Sequence, residues 1–363
     1  MPATADPDDL PAFGVYVHIP FCAKRCDYCA FATWTDRGHL VDGYLEAVRV
    51  EAGRAVHDGM PAASSVFFGG GTPSLVPAAA LMAVLAAIPR VPGAEVTVEC
   101  NPDTVSDGLL AAYLDGGVTR LSFGVQSLVD HVLMGLGRTH DVVNVEKAVR
   151  SARRVGFESF NLDLIYGGAG ESMADWQTTL DRVGELDPPH ISAYALTVEA
   201  GTPLAADWSR HPEDDDQADK YLLAESVLGA AGFEWYEISN WSRPGHRCRH
   251  NLLYWRQGDY RGLGCAAHSH AAGRRWWNLR TPERYADAIM ASRSSEAGFE
   301  ELDAESRRIE GLQLALRTSD GVPSDALALD DPVLDGLVIV HAGRARLTGP
   351  GRLLANEVAI RLR

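Results

Sequence analysis

Three cysteines fall within eight residues, Cys22, Cys26 and Cys29, in a C-x3-C-x2-C spacing. Thiolates this close on one loop can bind three irons of a cubic [4Fe–4S] cluster. The fourth iron is then left without a protein ligand, and an open coordination position is where a metal centre does chemistry. Two blander readings stand beside this one: a zinc site completed by a distant histidine, and three unrelated buried cysteines. Cys100, Cys248 and Cys265 lie apart from the group. Stable disulfides are rare in a reducing compartment, so clustered thiols there point to metal or redox chemistry.

The cysteines follow a strand-like segment, and so do the other motifs. Strand patterns are read at Phe13–Ile19, Ser64–Phe68, Glu95–Glu99, Arg120–Val125, Ser159–Ile165 and His190–Leu196, with helix patterns at Asp42–Val56, Pro77–Ile88, Ser106–Leu114, Val142–Val155 and Ser172–Leu186. Such alternation implies parallel strands joined by right-handed crossovers. Six units are too few for a closed eight-strand barrel, so an α/β partial (βα)6 TIM-like barrel is expected over residues 13–200. The motifs Cys22–Cys29, Gly69-Gly70-Gly71-Thr72-Pro73-Ser74, Glu99-Cys100-Asn101-Pro102, Gly124-Val125-Gln126-Ser127 and Asp163–Gly168 each follow a strand. Loops at those strand ends converge on one rim in βα-barrels, so a common site is expected there.

The rest of the chain bounds the function. Of 363 residues, 33 are Lys or Arg and 49 are Asp or Glu, a net charge of -16. That balance argues against broad nucleic-acid binding and against a polybasic lipid contact. Residues 1–12 read as an acidic tail with Asp6, Asp8 and Asp9, without a signal-peptide pattern. Ala78–Ile88, the longest apolar run, is too short to span a bilayer. A cytoplasmic protein is expected. Residues 201–300 read as a barrel extension, with a helix from Glu213 to Gly229, a strand at Phe233–Ile238 and a segment rich in His, Trp, Tyr and Gly from Trp241 to Trp277. Residues 301–363 read as a winged-helix-like module: strands near Val338–Val340 and Ala345–Leu347, a turn at Gly343, then a helix to Arg363.

The cysteine loop resembles that of the radical S-adenosylmethionine (SAM) proteins, where C-x3-C-x-aromatic-C follows the first barrel strand. The resemblance implies a [4Fe–4S] cluster on Cys22, Cys26 and Cys29, with SAM on the open iron. Tyr16-Val17-His18-Ile19-Pro20-Phe21-Cys22 is similar to the start of this loop in oxygen-independent coproporphyrinogen III oxidase and its relatives. By that likeness Tyr16 lies near the SAM sulfonium and Tyr28 near the adenine. Gly70, Gly71 and Thr72 hold the methionyl end, and Glu99 accepts from the ribose hydroxyls. Gln126, Arg138, Asp163 and Ala195 match further SAM positions.

Phe31 sets the branch. The oxidases carry a fourth cysteine two residues after the third; this chain has Cys29-Ala30-Phe31, similar to the heme chaperone branch called HemW. His250-Asn251-Leu252-Leu253-Tyr254-Trp255 resembles that branch's H-N-x-x-Y-W motif. His250 is then the candidate heme contact, with Cys248 as a competing thiolate and His268 and His270 as weaker candidates. Cys100 is expected to be a small buried residue. Two departures stand out: Gly168-Ala169-Gly170 lacks the proline usual in that loop, and Ala266 replaces a usual glycine.

The resemblance implies a heme carrier that passes heme to acceptor proteins, with no integral membrane segment and a homodimer among the possible states. The alternative is the oxidase itself, decarboxylating coproporphyrinogen III propionates with a 5′-deoxyadenosyl radical. A radical methyl transfer or another radical reaction on a large planar substrate is a third reading that no residue favours.

Overall fold

The computed structural model describes residues 13–363; the acidic tail read at 1–12 lies outside them. Six strands, β1 Phe13–Ile19, β2 Ala63–Gly70, β3 Arg90–Cys100, β4 Arg120–Gln126, β5 Ser159–Tyr166 and β6 His190–Ala195, run parallel in chain order. Between them come α1 Val41–His57, α2 Ala78–Ala86, α3 Asp107–Asp115, the short α4 Asp130–Gly135, α5 Val142–Val155 and α6 Met173–Leu186. The helices form where the sequence caps them. Asp141 accepts from Asn144 N at the start of α5, and Gly156 ends it at φ 108°. Its buried residues, Val142, Val145, Ala148, Val149 and Ala152, fall at helical spacing on one face. Ser172 and Asp175 form a capping box at α6.

The sheet continues past the expected six strands at both edges. Beyond α7 Asp214–Ala230 come β7 Glu234–Glu237 and β8 Asn240–Ser242; β8 pairs antiparallel to β6, and β7 antiparallel to β8 at the edge. After α8 Arg249–Trp255, β9 Asp259–Leu263 pairs parallel to β1. From there β10 His268–Ala271, β11 Arg274–Asn278 and, past α9 Pro282–Met290, β12 Glu296–Glu301 extend the edge antiparallel. The result is one open sheet of twelve strands.

The last sixty residues contain α10 Ala304–Leu316 and a three-stranded antiparallel sheet of β13 Val322–Pro323, β14 Val338–His341 and β15 Arg344–Leu347. The expected helix to Arg363 is two short ones, α11 Gly349–Leu353 and α12 Ala355–Ala359. Leu354 leaves helical geometry between them, at φ -107° and ψ 27°. The chain then turns at Ile360 and Arg361, and Leu362 bridges to Leu327. Leu316, Val322, Leu327, Ala345, Leu347 and Val358 form a second apolar cluster here, apart from the main core.

Strand alternation sorts the barrel into two faces. Val15, Val17 and Ile19 are fully buried with Tyr44, Leu45 and Val48 of α1 in the main core. Gly14, Tyr16 and His18 point the other way, into a barrel lined with polar groups. There His190 bonds Asn161 and Tyr236, and Asn161 in turn bonds Ser122 and Asp163. The hydrophobic core is thus the layer between strands and helices, and the barrel interior is left for a site.

The turn from β9 to β10 explains one departure from the family pattern. A Cβ on Gly264, at φ 96°, would lie 2.5 Å from the Tyr44 hydroxyl. Two residues on, Ala266 holds φ 55°, a left-handed conformation that suits glycine. Relief of that strain exceeds the added chain entropy of glycine, so Ala266→Gly is expected to stabilise the protein by roughly 0.5–1 kcal/mol in urea unfolding. Destabilisation would mean that the methyl group contributes packing that outweighs the strain.

Candidate functional site

The cluster loop is pinned by backbone bonds before any side chain is considered. Gly71 N donates to Ile19 O and Thr72 N to Phe21 O, both at 2.8 Å. Trp34 N donates to Pro20 O and Cys22 N to Trp34 O, closing the loop on itself. This close approach requires glycine: a Cβ on Gly71 would lie 2.7 Å from both Ile19 O and Phe21 O. A Cβ on Gly70, at φ 105°, would lie 2.3 Å from the His18 ring.

Cys22, Cys26 and Cys29 are unpaired and partly exposed on this loop. Thr72 Oγ1 faces Cys22 Sγ at 3.7 Å, and Arg138 Nη1 donates to Cys26 Sγ at 3.3 Å. Burial raises the thiols of Cys22 and Cys29 above the usual range. Arg138 also donates to Gly124 O at 2.9 Å, so its charge is held between the loop and β4. Among the described residues no three His, Cys, Asp or Glu side chains are assembled into a single-ion site. Three soft donors on one loop, with the Arg138 guanidinium at the Cys26 sulfur, fit an anionic iron–sulfur cluster.

Sequence gave no signal for the outer brace of the loop. Arg210 Nη2 donates to Asp27 Oδ2 at 2.9 Å and also to Gly135 O. Leu204 N donates to Asp27 O at 3.0 Å. The segment after β6 therefore clamps the residue between two of the cysteines.

The expected SAM residues line the carboxyl ends of successive strands. Tyr16 on β1 is half-buried, its hydroxyl 3.0 Å from His18 Nδ1. Glu99 on β3 accepts from Gly70 N at 3.1 Å. Asp163 on β5 accepts from Ser122 and Asn161. Gln126 ends β4 at φ 68°, where the pairing to β5 shifts register. Ala195 ends β6 opposite Tyr166. Tyr28 packs with Val132, Leu136, Ile165, Leu196 and Leu204 in a small apolar cluster, where burial raises its hydroxyl.

The loop after β5 lacks its proline but has another support. Glu171 Oε2 accepts from Gly167 N at 2.7 Å. The fully buried Lys220 donates to Glu171 O at 2.8 Å and pairs with Glu171 and Asp216. A buried ion pair replaces ring rigidity there.

His250 is not brought to the SAM residues. Its helix α8 sits against the first residues of β1 and β2. The ring is 1% exposed, with Nδ1 2.9 Å from Ser65 Oγ and Nε2 3.0 Å from Tyr254 Oη. It stacks on Phe67 at 5.3 Å, and burial alone lowers its pKa to about 3. Glu95 accepts from Arg249 N and His250 N, both at 3.1 Å, fixing the helix start. Both ring nitrogens face hydroxyls in this arrangement, one of them through its lone pair. Cys248 is fully buried near Glu95, and burial, then the Glu95 charge, pushes its thiol up to about 12. Cys100 is buried, as expected, with its thiol toward Val98 O.

The chain is similar to known proteins over nearly its whole length. Residues 16–183 match the profile of the Radical SAM superfamily. A heme chaperone HemW from Mycobacterium tuberculosis is 40% identical over 95% of this chain and 93% of its own. The Escherichia coli HemW is 33% identical over 96% of this chain and 97% of its own. The coproporphyrinogen III oxidase structure HemN from Escherichia coli superposes with a TM-score of 0.82 at 24% identity, covering 96% of this chain and 89% of that one. At that identity the likeness bears on the fold alone.

The barrel mouth makes a pH prediction. Burial, then the Asp163 charge, raises Glu99 to about 8 from an ordinary value near 4.5. The unfolded chain releases this proton near 4.5 and the folded chain near 8. Between those values the folded state binds more protons, so its stability falls as pH rises and levels off above 8. Glu99→Gln keeps an acceptor for Gly70 N and removes this slope. The variant's thermal stability relative to the parent is expected to grow from pH 5 to pH 8; an unchanging difference would show that Glu99 ionises normally.

Proposed function

The chain belongs to the heme chaperone HemW family of the radical SAM superfamily, and from that premise we propose that it binds heme and passes it to acceptor proteins. The observation that carries this is similarity along the full chain, at 40% and 33% identity, to proteins named for that role. Position 31 supports it: Phe31 is 66% exposed where the oxidase motif has a fourth thiol. The oxidase reading rests on fold likeness alone.

Cys22, Cys26 and Cys29 would hold the [4Fe–4S] cluster, with Arg138 offsetting its negative charge at Cys26. Tyr16, Gly70, Gly71, Thr72, Glu99, Gln126, Arg138, Asp163, Ala195 and Tyr28 would hold SAM around the same mouth. When bound, cluster and SAM supply one-electron chemistry beside an adenosyl group. The chain's own residues contribute position and charge. Glu99 and Asp163 present acceptors for hydroxyls, and the apolar cluster around Tyr28 covers a flat ring and keeps water from it.

In this reading cluster and heme occupy separate sites. Anaerobically reconstituted protein is expected to bind about one heme per chain in a Soret titration. Cys26→Ala is expected to lose the cluster absorbance and keep most heme binding. Absence of saturable heme binding by the parent protein overturns the carrier reading, and turnover of coproporphyrinogen with SAM and reductant would favour the oxidase.

A further inference from the structure

We propose that Glu171 and the buried Lys220 are positioning residues for the adenine side of the SAM site, acting through the turn after β5. The inference rests on the reading above that puts SAM's flat ring beside Tyr28. It begins from the segment that departs from the family pattern, Gly168-Ala169-Gly170. Glu171 N donates to Gly168 O at 3.0 Å, and Gly170 lies at φ 78°. That bond, with a left-handed residue at the third position, makes a type II turn and puts Ala169 where proline is favoured. Among the described residues the Ala169 N–H donates no hydrogen bond. A ring there would fix the turn at no loss of bonding. Alanine leaves the turn to be held from outside.

That hold comes from α7. Lys220 Nζ donates to Glu171 O at 2.8 Å and lies 3.5 Å from Glu171 Oε2, with neither side chain exposed. Asp216, one helical turn earlier, also pairs with Lys220. Glu171 closes a ring around the turn: its amide bonds Gly168 O, and its carboxylate accepts from Gly167 N at 2.7 Å. An ion pair buried this deep costs desolvation, and apolar residues would serve stability as well. Apolar residues could not bond Gly167 N and Glu171 O. Gln217, on the same face of α7, packs on Gly167, where a Cβ would lie 2.7 Å from its Cγ. It also donates to Leu196 O at 2.9 Å, and Leu196 N donates to Tyr166 O at 2.9 Å. One face of α7 thus fixes the ends of both β5 and β6.

The turn forms a wall of the cleft where Tyr28 sits. Tyr28, Leu136, Ala169, Leu196 and Leu204 line that cleft. Ala169 O abuts Gly135, the residue whose carbonyl Arg210 holds; a Cβ on Gly135 would lie 3.3 Å from it. Two walls, Ala169 and Leu196, are therefore placed by Lys220 through Glu171 and by Gln217. A flat ring fills such a slot tightly only when its walls are set beforehand, because ordering them on binding costs affinity.

The test is an anaerobic titration of the cluster-loaded full chain with SAM, read by equilibrium dialysis. Lys220→Met is expected to raise the SAM Kd by about fivefold or more, through a loosened wall, with iron content and cluster absorbance unchanged. Adding Ala169→Pro to that variant is expected to restore most of the affinity. Adding Ala266→Gly instead, which relieves strain at the distant β9–β10 turn, is expected to restore none, and so separates order of this turn from overall stability. Gln217→Leu leaves the buried pair intact and is expected to weaken SAM severalfold; it decides the question where Lys220→Met does not fold. The proposal is overturned by parent-like SAM affinity in folded Lys220→Met or in Gln217→Leu, by a loss that Ala169→Pro does not recover, or by equal recovery from Ala266→Gly. A parent protein that holds its cluster and binds no SAM overturns the SAM reading itself.

Discussion

The cluster loop sits where it does because residue 71 has no Cβ. The ends of β1 and β2 approach until Gly71 N and Thr72 N donate to Ile19 O and Phe21 O at 2.8 Å. A methyl group at 71 would stand 2.7 Å from two of the loop's carbonyls. Any larger residue would push the loop off the barrel rim, and the thiols with it. The rest of the mouth is built around this contact. Thr72 reaches Cys22 from the same turn, and Glu99 holds Gly70 N from the next strand. Arg138 spans from Cys26 to the backbone of β4, and Arg210 holds Asp27 from outside. The loop is thereby fixed through backbone geometry on one side and charge on the other. Its sulfurs remain partly open.

The polar barrel interior carries a cost in stability. Glu95, Arg120, Asn161 and His190 are buried where an ordinary fold would place aliphatic side chains. Among the described residues Thr97 Oγ1 and Arg120 Nε have no hydrogen-bond partner. Burial of such groups is unfavourable unless each is bonded, and replacing them with packed apolar residues is often neutral or better for stability. The fold offsets this outside the barrel, where Val15, Val17, Ile19, Val66, Phe68, Val96 and Val98 pack against the helices at almost no exposure. That division lets the interior be specified by chemistry rather than by packing.

Much of this was legible in the sequence, and the reasons are local. The six parallel strands could be read because each is a short run rich in apolar residues, five of them followed by a glycine or polar motif. Helix α5 could be read to the residue because Asp141, a 3.6-residue apolar period and Gly156 agree. The strands β8 to β12 were not legible. Sequences such as Asp259-Tyr260-Arg261-Gly262-Leu263 and Arg274-Arg275-Trp276-Trp277-Asn278 show no clean alternation, because both of their faces are covered by aromatic and charged side chains. The final helix was misread as continuous because Ala355–Ala359 continues a helical pattern that the backbone at Leu354 breaks. At the site, residue types placed Cys22, Cys26, Cys29, Glu99 and Asp163 at the rim. They could not place Arg210, which is some 180 residues from Asp27 and carries no motif.

His250 shows why a motif names residues more readily than it names their roles. The H-N-x-x-Y-W segment folds as α8 and closes the amino-terminal end of the barrel. Glu95 holds its first turn, Ser65 and Tyr254 hold its imidazole, and Phe67 stacks between that ring and Tyr16. An aromatic column therefore runs from Tyr16 to this plug. Tyr254 continues it edge-on to Tyr260, which leans on His270. The motif's buried histidine thus seats the helix that closes this end: Ser65 and Tyr254 hold its ring and Glu95 holds the helix start, so its place follows from contacts within the fold.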